Sequence, residues 1–306
     1  MRSLCAGVLG AVLLVSVLSP GCAVAQASDM SELIERGEAA GLPASMLESV
    51  VERANQRGVS AEDTYALIEP SVEIAESNLP ATALLTKVME GLSKNVPPTR
   101  MQPVLETLRT QTQEAGSLID AWLATEEGRT TMGINEEAPS TEDRTALIRG
   151  VTAARQQNLA PEVTESWLTT LPGGASGQAV SATRIEAALR ILPQLPEADQ
   201  PGGIGHQLAH AAVHAVYQPS QIRQLPQALE RAHQQGDQPL SVVARRATGA
   251  IGMGHPASVV LDALVQGQVP SGPPVDVGPP DRRSDPPGPP DGPPDERPDP
   301  PGEPPA

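Results

Sequence analysis

Along most of the chain, apolar residues fall three and four positions apart. Met46, Leu47, Val50, Val51 and Ala54 make one stripe, Leu84, Leu85, Val88 and Leu92 a second, and Met101, Val104, Leu105 and Leu108 a third. The same spacing returns at Leu147, Ile148, Val151 and Ala154, then at Ile185, Ala188, Leu189 and Leu192. It returns again at Ile222, Leu225, Ala228, Leu229 and Ala232, and at Val259, Val260, Ala263 and Leu264. This is the period of one buried face of a helix. No segment alternates with period two, so the pattern predicts an all-α protein. Helices this short are marginal alone in water, so they are expected to stack on one another.

The breaks between stripes share a chemistry. A small residue is followed four places later by Gly or Asn, then by an apolar residue, then by Pro or Ser. It reads Gly37/Gly41-Leu42-Pro43, Ala54/Gly58-Val59-Ser60 and Gly91/Asn95-Val96-Pro97, and a fourth copy, Ala250/Gly254-His255-Pro256, has His in the apolar slot. Looser copies are Ala154/Asn158/Pro161 and Ala232/Gly236/Pro239. Gly and Asn tolerate the left-handed conformation that closes a helix, and Pro or Ser opens the next one.

Sliding the chain by 37 positions lays Gly41-Leu42-Pro43-Ala44 on Asn78-Leu79-Pro80-Ala81, with Val51 on Val88, Gly58 on Asn95 and Val59 on Val96. The expected architecture is therefore an array of short helical hairpins repeating about every 37 residues, either solenoid-like or a compact bundle. The period resembles that of helical-hairpin repeat families such as HEAT-like solenoids. Their signature residues are absent, so the resemblance implies no residue role.

Both ends differ from this pattern. Arg2, an apolar run from Leu4 to Leu18, the breakers Ser19-Pro20-Gly21 and the small-x-small Ala25-Gln26-Ala27 have the layout of a cleaved secretory leader. Cleavage is expected after Ala27, with Ala25 as the second choice. The alternative, a lipid-modified Cys22, is disfavoured because Ser19, not Leu, stands three places before it. Cleavage would remove Cys5 and Cys22 and leave the mature chain without thiols. From about Pro270 the chain becomes rich in Pro-Pro pairs with Gly, Asp and Arg, as in Asp285-Pro286-Pro287-Gly288-Pro289-Pro290-Asp291. Such a tail cannot offset its ordering entropy by burial, and is expected to be disordered and partly polyproline II.

The organisation predicted is a leader at 1–27, an amino-terminal helical module at 28–127, and a polar loop at 128–141. Middle hairpins at 142–192, a Pro/Gly linker at 193–205, a carboxy-terminal module at 206–268 and the tail at 269–306 complete it.

Composition adds two constraints. The 306 residues carry a formal charge of −16, which argues against nucleic acid and against an anionic membrane surface. No transmembrane segment is expected in the mature chain. There is no Phe, and the aromatics are Tyr65, Trp122, Trp167 and Tyr217, which suits closely spaced helices better than sheets.

One cluster has candidate chemistry. All five His lie between 206 and 255, and His206, His210 and His214 recur every fourth residue. On a helix they share a face, and an i, i+4 pair can chelate a transition metal. His206 and His214 stand ~12 Å apart along the axis, so one ion would take two of the three, with His233 or His255 added by folding. The spacing of His206 and His210 matches the paired histidines of zinc proteases, but Gln207 stands where their general base belongs. Ser176 lies among glycines without a nucleophile-elbow pattern. Gly202-Gly203-Ile204-Gly205 follows no strand and reads as a hinge. Glu136-Glu137 sits in the polar loop without a partner in view.

The functional expectation is an exported, non-enzymatic helical-repeat protein that needs no cofactor and binds a protein or envelope partner. Weak metal binding through the histidine helix is the alternative.

Overall fold

The computed structural model describes residues 21–134, 139–171 and 179–268, with side chains from Asp29 onward. The first 20 residues, Glu136-Glu137, Ser176 and the tail from 269 lie outside it. Among the described residues the chain forms thirteen α-helices and no strand. They are α1 Gly21–Ala39, α2 Ala44–Gln56, α3 Ala61–Glu76, α4 Thr82–Ser93, α5 Pro98–Ala124, α6 Glu126–Met132 and α7 Thr141–Gln156. Then follow α8 Pro161–Thr169, α9 Ala182–Ile191, α10 Ile204–His214, α11 Pro219–Gly236, α12 Leu240–Gly252 and α13 Ala257–Val265. None of the described helices is long and apolar enough to cross a membrane.

The breaks work as their residues require. Gly41, Gly58, Asn78, Asn95, Asn158 and Gly254 all have positive φ, from 54° to 88°. At each, the next N–H reaches back to the carbonyl of the residue four places before the break: Leu42 to Gly37 at 2.9 Å, Val59 to Ala54 at 3.0 Å, Leu159 to Ala154 at 3.1 Å. This is the Schellman closure, in which the residue after the left-handed one folds back over the last turn. Small residues at the accepting position let the neighbouring helix approach. A Cβ on Gly37 would stand 2.9 Å from Leu47 Cδ1. Ser60 and Ser140 then cap α3 and α7, each accepting from the N–H three residues on.

The odd-numbered helices stack in chain order: α1 on α3, α3 on α5, then α7, α9, α11 and α13 in turn. The even-numbered ones pair in a second row, α2 with α4, α6 with α8 and α10 with α12. Ion pairs mark the odd row. Arg36 meets Glu76 across α1 and α3 at 2.9 Å, and Arg109 on α5 meets Glu73 on α3. Arg155 and Arg144 on α7 meet Glu114 and Asp120 on α5, and Arg149 lies 3.6 Å from Glu186 on α9. Arg36–Glu76 is exposed on both sides, and each of the other pairs keeps one partner exposed, so they mark register more than they stabilise.

The buried apolar residues form two clusters. One runs from Leu33 to Leu108, the other from Ala115 to Leu264, and partly buried Leu79 touches both. The division between the two buried clusters therefore falls inside α5. The second cluster also continues through the expected middle and carboxy-terminal modules without a break.

Three local expectations need correction. The stretch expected as loop from 128 is helix α6 as far as Met132, opened by Thr125 Oγ1 accepting the Gly128 N–H at 3.0 Å. Gly128 is there for closeness, since a Cβ would collide with the Trp122 carbonyl. The expected linker at 193–205 holds a 3-10 turn at Leu192–Gln194 and buried Leu195, Ala198 and Ile204. A Cβ on Gly205 would lie 2.7 Å from the Pro196 carbonyl oxygen, so the glycines pack this segment tightly instead of forming a hinge. At the looser copy near Ala232, the left-handed residue is Asp237, with φ 49°, and Gly236 remains helical.

Candidate functional site: the histidine helix and the groove beside it

Helix α10 is buried on most of its circumference, including Ile204, His206, Leu208, Ala209, Ala212 and Val213. Its histidines therefore do not share one solvent face. His206 is 2 % exposed, and both ring nitrogens are occupied. Its Nδ1 accepts the Gly202 N–H at 3.3 Å, and Nε2 donates to the Ala198 carbonyl at 3.0 Å. That ring pins the 195–203 segment against α10 and leaves no lone pair for an ion. Burial lowers its pKa from the ordinary imidazole value.

His210 bridges the even row. Its Nε2 donates to the Trp167 carbonyl on α8 at 3.2 Å, and its ring lies 5.0 Å from the Trp167 ring, centroid to centroid. Burial is the main cause that pushes its pKa down to about 4, helped by the neighbouring His214 and His206.

His214 closes the helix. Its Nε2 is buried with no hydrogen-bond partner among the described residues. Burial, and then the nearby Arg184 cation, lowers its pKa. Arg184 on α9 donates to the Val213 carbonyl at 3.2 Å, which holds that charge at the end of α10. His233 lies elsewhere, bonded through Nδ1 to the Gln238 carbonyl at 2.6 Å. Among the described residues, no three His, Cys, Asp or Glu side chains gather as a metal ion would need.

Folding instead brings His214 near His255, along a groove of about 610 Å³. Its walls are the α10–α11 turn and the α12–α13 turn, with Val216, Tyr217, Gln221 and Ser258 among the lining residues. Both turns are Schellman closures. Tyr217 N–H bonds the Ala212 carbonyl and His255 N–H the Ala250 carbonyl, each at 3.2 Å. They are tied together by Tyr217 Oη, which donates to the His255 carbonyl at 3.2 Å. Burial pushes the phenol up to about 12, so it stays a donor.

The groove was only half legible in the chain. The break at Ala250/Gly254-His255-Pro256 is one of the regular copies. Its partner, Ala212/Val216-Tyr217, has the same spacing, but Val216 stands where Gly or Asn belongs. Val216 nonetheless takes φ 60°, an uncommon and strained place for a β-branched residue. It is also 50 % exposed, and Met253 and Val259, 46 % and 42 % exposed, neighbour lining residues in sequence. Four of the five most exposed large apolar side chains among the described residues, Val265 included, thus belong to these two turns and the helix that follows.

Charge changes here as well. Residues 28–203 hold 26 acidic and 13 basic side chains, whereas 204–268 hold four arginines against Glu230, Asp237 and Asp262. The ion pairs of the odd row end at Glu186. Among the described residues none of Arg223, Arg231, Arg245 and Arg246 has a carboxylate within ion-pair reach.

Compared with known proteins, the chain matches no family model, no curated protein and no solved structure.

Proposed function

We propose that this chain is an exported, non-enzymatic helical-repeat protein that binds a protein partner in the cell envelope. The observation that carries the reading is the unbroken stacking of odd-numbered helices from α1 to α13, cross-linked by ion pairs from α1 to α9. A row built this way presents a broad surface rather than a single deep cleft, which suits partner binding.

A repeat of about 37 residues belongs to this proposal. Gly41 and Asn78, and Gly58 and Asn95, are matching left-handed breaks 37 positions apart. Glu73 and Arg109, and Arg149 and Glu186, pair across comparable intervals. The leader ending at Ala27, which would direct export, and the acidic proline-rich tail complete the proposed chain.

The test is fractionation followed by cross-linking. The expected result is a mature chain beginning at Ser28 in the exported fraction, cross-linked to the same partner in independent preparations. A cytosolic chain retaining Met1, or cross-links no richer than those of a control protein, would overturn the reading.

Metal binding through His206, His210 and His214 has less support. His206 has spent both nitrogens and His210 one, which leaves His214 as the ring with an unpartnered nitrogen. Equal Zn²⁺ or Cu²⁺ affinity of the wild type and His210→Ala would remove it.

A further inference from the structure

We propose that the groove between the α10–α11 and α12–α13 turns is the docking site of the chain's own proline-rich tail, through the segment from Pro279 to Asp295. The inference is independent of the partner-binding reading and assigns that groove an intramolecular occupant.

The first argument is position. The tail leaves the described structure at Gln268, just past α13, and the first turn of α13 lines the groove. Helix α13 has nine residues, about 14 Å of rise. An extended polyproline segment advances ~3.1 Å per residue. About five residues therefore run back along the helix, and more than that number separate Gln268 from Pro279.

The second argument is hydrogen-bond chemistry. A segment built on Pro-Pro pairs has few N–H groups and offers mainly carbonyl and carboxylate acceptors. A surface that recognises it must supply donors and flat apolar contacts. Gln221 supplies donors, because its Oε1 is held by the Gln218 N–H at 2.9 Å and its amide N–H groups remain. His214 also lines the groove, with its unpartnered Nε2 buried beneath the surface. Val216 stands half-exposed on the groove wall beside Pro256 and Ala257, while Tyr217 and His255 lie beneath it, buried. Proline rings cover such surfaces at little entropic cost, because polyproline II is already extended before it binds.

The third argument is charge. Residues 269–306 carry Asp276, Asp281, Asp285, Asp291, Asp295, Glu296, Asp299 and Glu303 against Arg282, Arg283 and Arg297. Residues 204–268, which include the helices around the groove, hold four arginines against three carboxylates, and among the described residues none of those arginines has a carboxylate within ion-pair reach. The acidic tail therefore finds its opposite charge at this end of the array and like charge on the rest of it.

The test reads the five imidazoles by NMR in the full-length chain. Two proteins are compared: wild type, and a variant with Pro286, Pro287, Pro289 and Pro290 each replaced by Ser. The expected result is that the His214 and His255 signals shift between them while His206 and His233 stay in place. Adding a synthetic peptide of residues 279–295 to the variant should return the two signals toward their wild-type positions and saturate. Replacing Val216 and Gln221 by Ala in the wild type should weaken that saturation at least tenfold when the same peptide is added to the corresponding serine variant. Unchanged His214 and His255 signals would overturn the proposal, as would equal shifts at all five histidines. A wild-type spectrum that depends on protein concentration would also overturn it, because the occupant would then be the tail of another copy.

Discussion

Val216 and His210 show how single residues depart from what their positions usually hold. Eight other described breaks with this closure place Gly or Asn in the left-handed region, and here a β-branched residue occupies it. The strain of an L-residue there is about 1–2 kcal/mol. Val216→Asn should therefore raise stability by about 1 kcal/mol, read as a higher denaturant midpoint for the unit containing α10. A lower midpoint would mean that the valine side chain repays its strain on the groove wall. His210 makes the opposite trade. Its folded-state pKa of about 4 lies below that of free imidazole, so the unfolded chain binds the proton more readily. By linkage the stabilisation is complete above about pH 6.5 and is lost as pH falls toward 4. The shift corresponds to roughly 3 kcal/mol at most. His210→Gln should flatten the fall in urea midpoint between pH 7 and pH 4.5 relative to wild type. Parallel curves for the two proteins would show that the proton goes elsewhere. The spacing of His206, His210 and His214 was readable in the chain. Their fate was not, because periodicity gives a residue's face and says nothing of which carbonyls, here those of Ala198 and Trp167, will meet it.

At the scale of elements, what was legible depended on how local its cause is. The breaks at Gly41, Gly58, Asn95, Asn158 and Gly254 were visible because backbone conformation and residue type decide them within five or six positions. The short helix α6 reads as loop in the sequence because its glycine answers to Trp122 in the previous helix, a contact without a local pattern. Gly150 is a similar case in the middle of α7, where helix propensity alone would favour Ala by about 1 kcal/mol. In the fold its missing Cβ is what lets α9 come close. A Cβ there would stand 2.9 Å from Glu186 Cα and 3.2 Å from Leu189 Cβ. One of these is a backbone atom, so the helices themselves must separate. Overpacking of this kind costs about 1–3 kcal/mol, enough to outweigh the propensity gain. Gly150→Ala should accordingly lower stability, and chemical denaturation measures it. A stabilised variant would mean that the α7–α9 contact is looser than these distances.

For the whole molecule, the central fact is that the row of odd helices is continuous while the buried core is not. The apolar stripes predict stacking, but stripes carry no information on where one buried cluster ends and the next begins. The break lies in α5 between Leu108 and Ala115, where a single 27-residue helix spans both clusters. Arg144 adds a second tie, binding Asp120 on α5 and donating to the Asn78 carbonyl at 2.8 Å. Two clusters joined mainly through one helix should behave as neighbouring units with an interface, not as one all-or-none body. Leu47 is fully buried in the first cluster, and its truncation to Ala carries the usual cost of about 2–5 kcal/mol for a core leucine. If the units are separable, Leu47→Ala lowers amide protection across α2, α3 and α4 by that amount and leaves α7, α9 and α11 nearly unchanged. The mirror experiment, Leu189→Ala in the second cluster, should spare α2 to α4 in the same way. An equal loss of protection along the whole chain in either variant would show that α5 transmits the full folding energy and that the two clusters unfold as one.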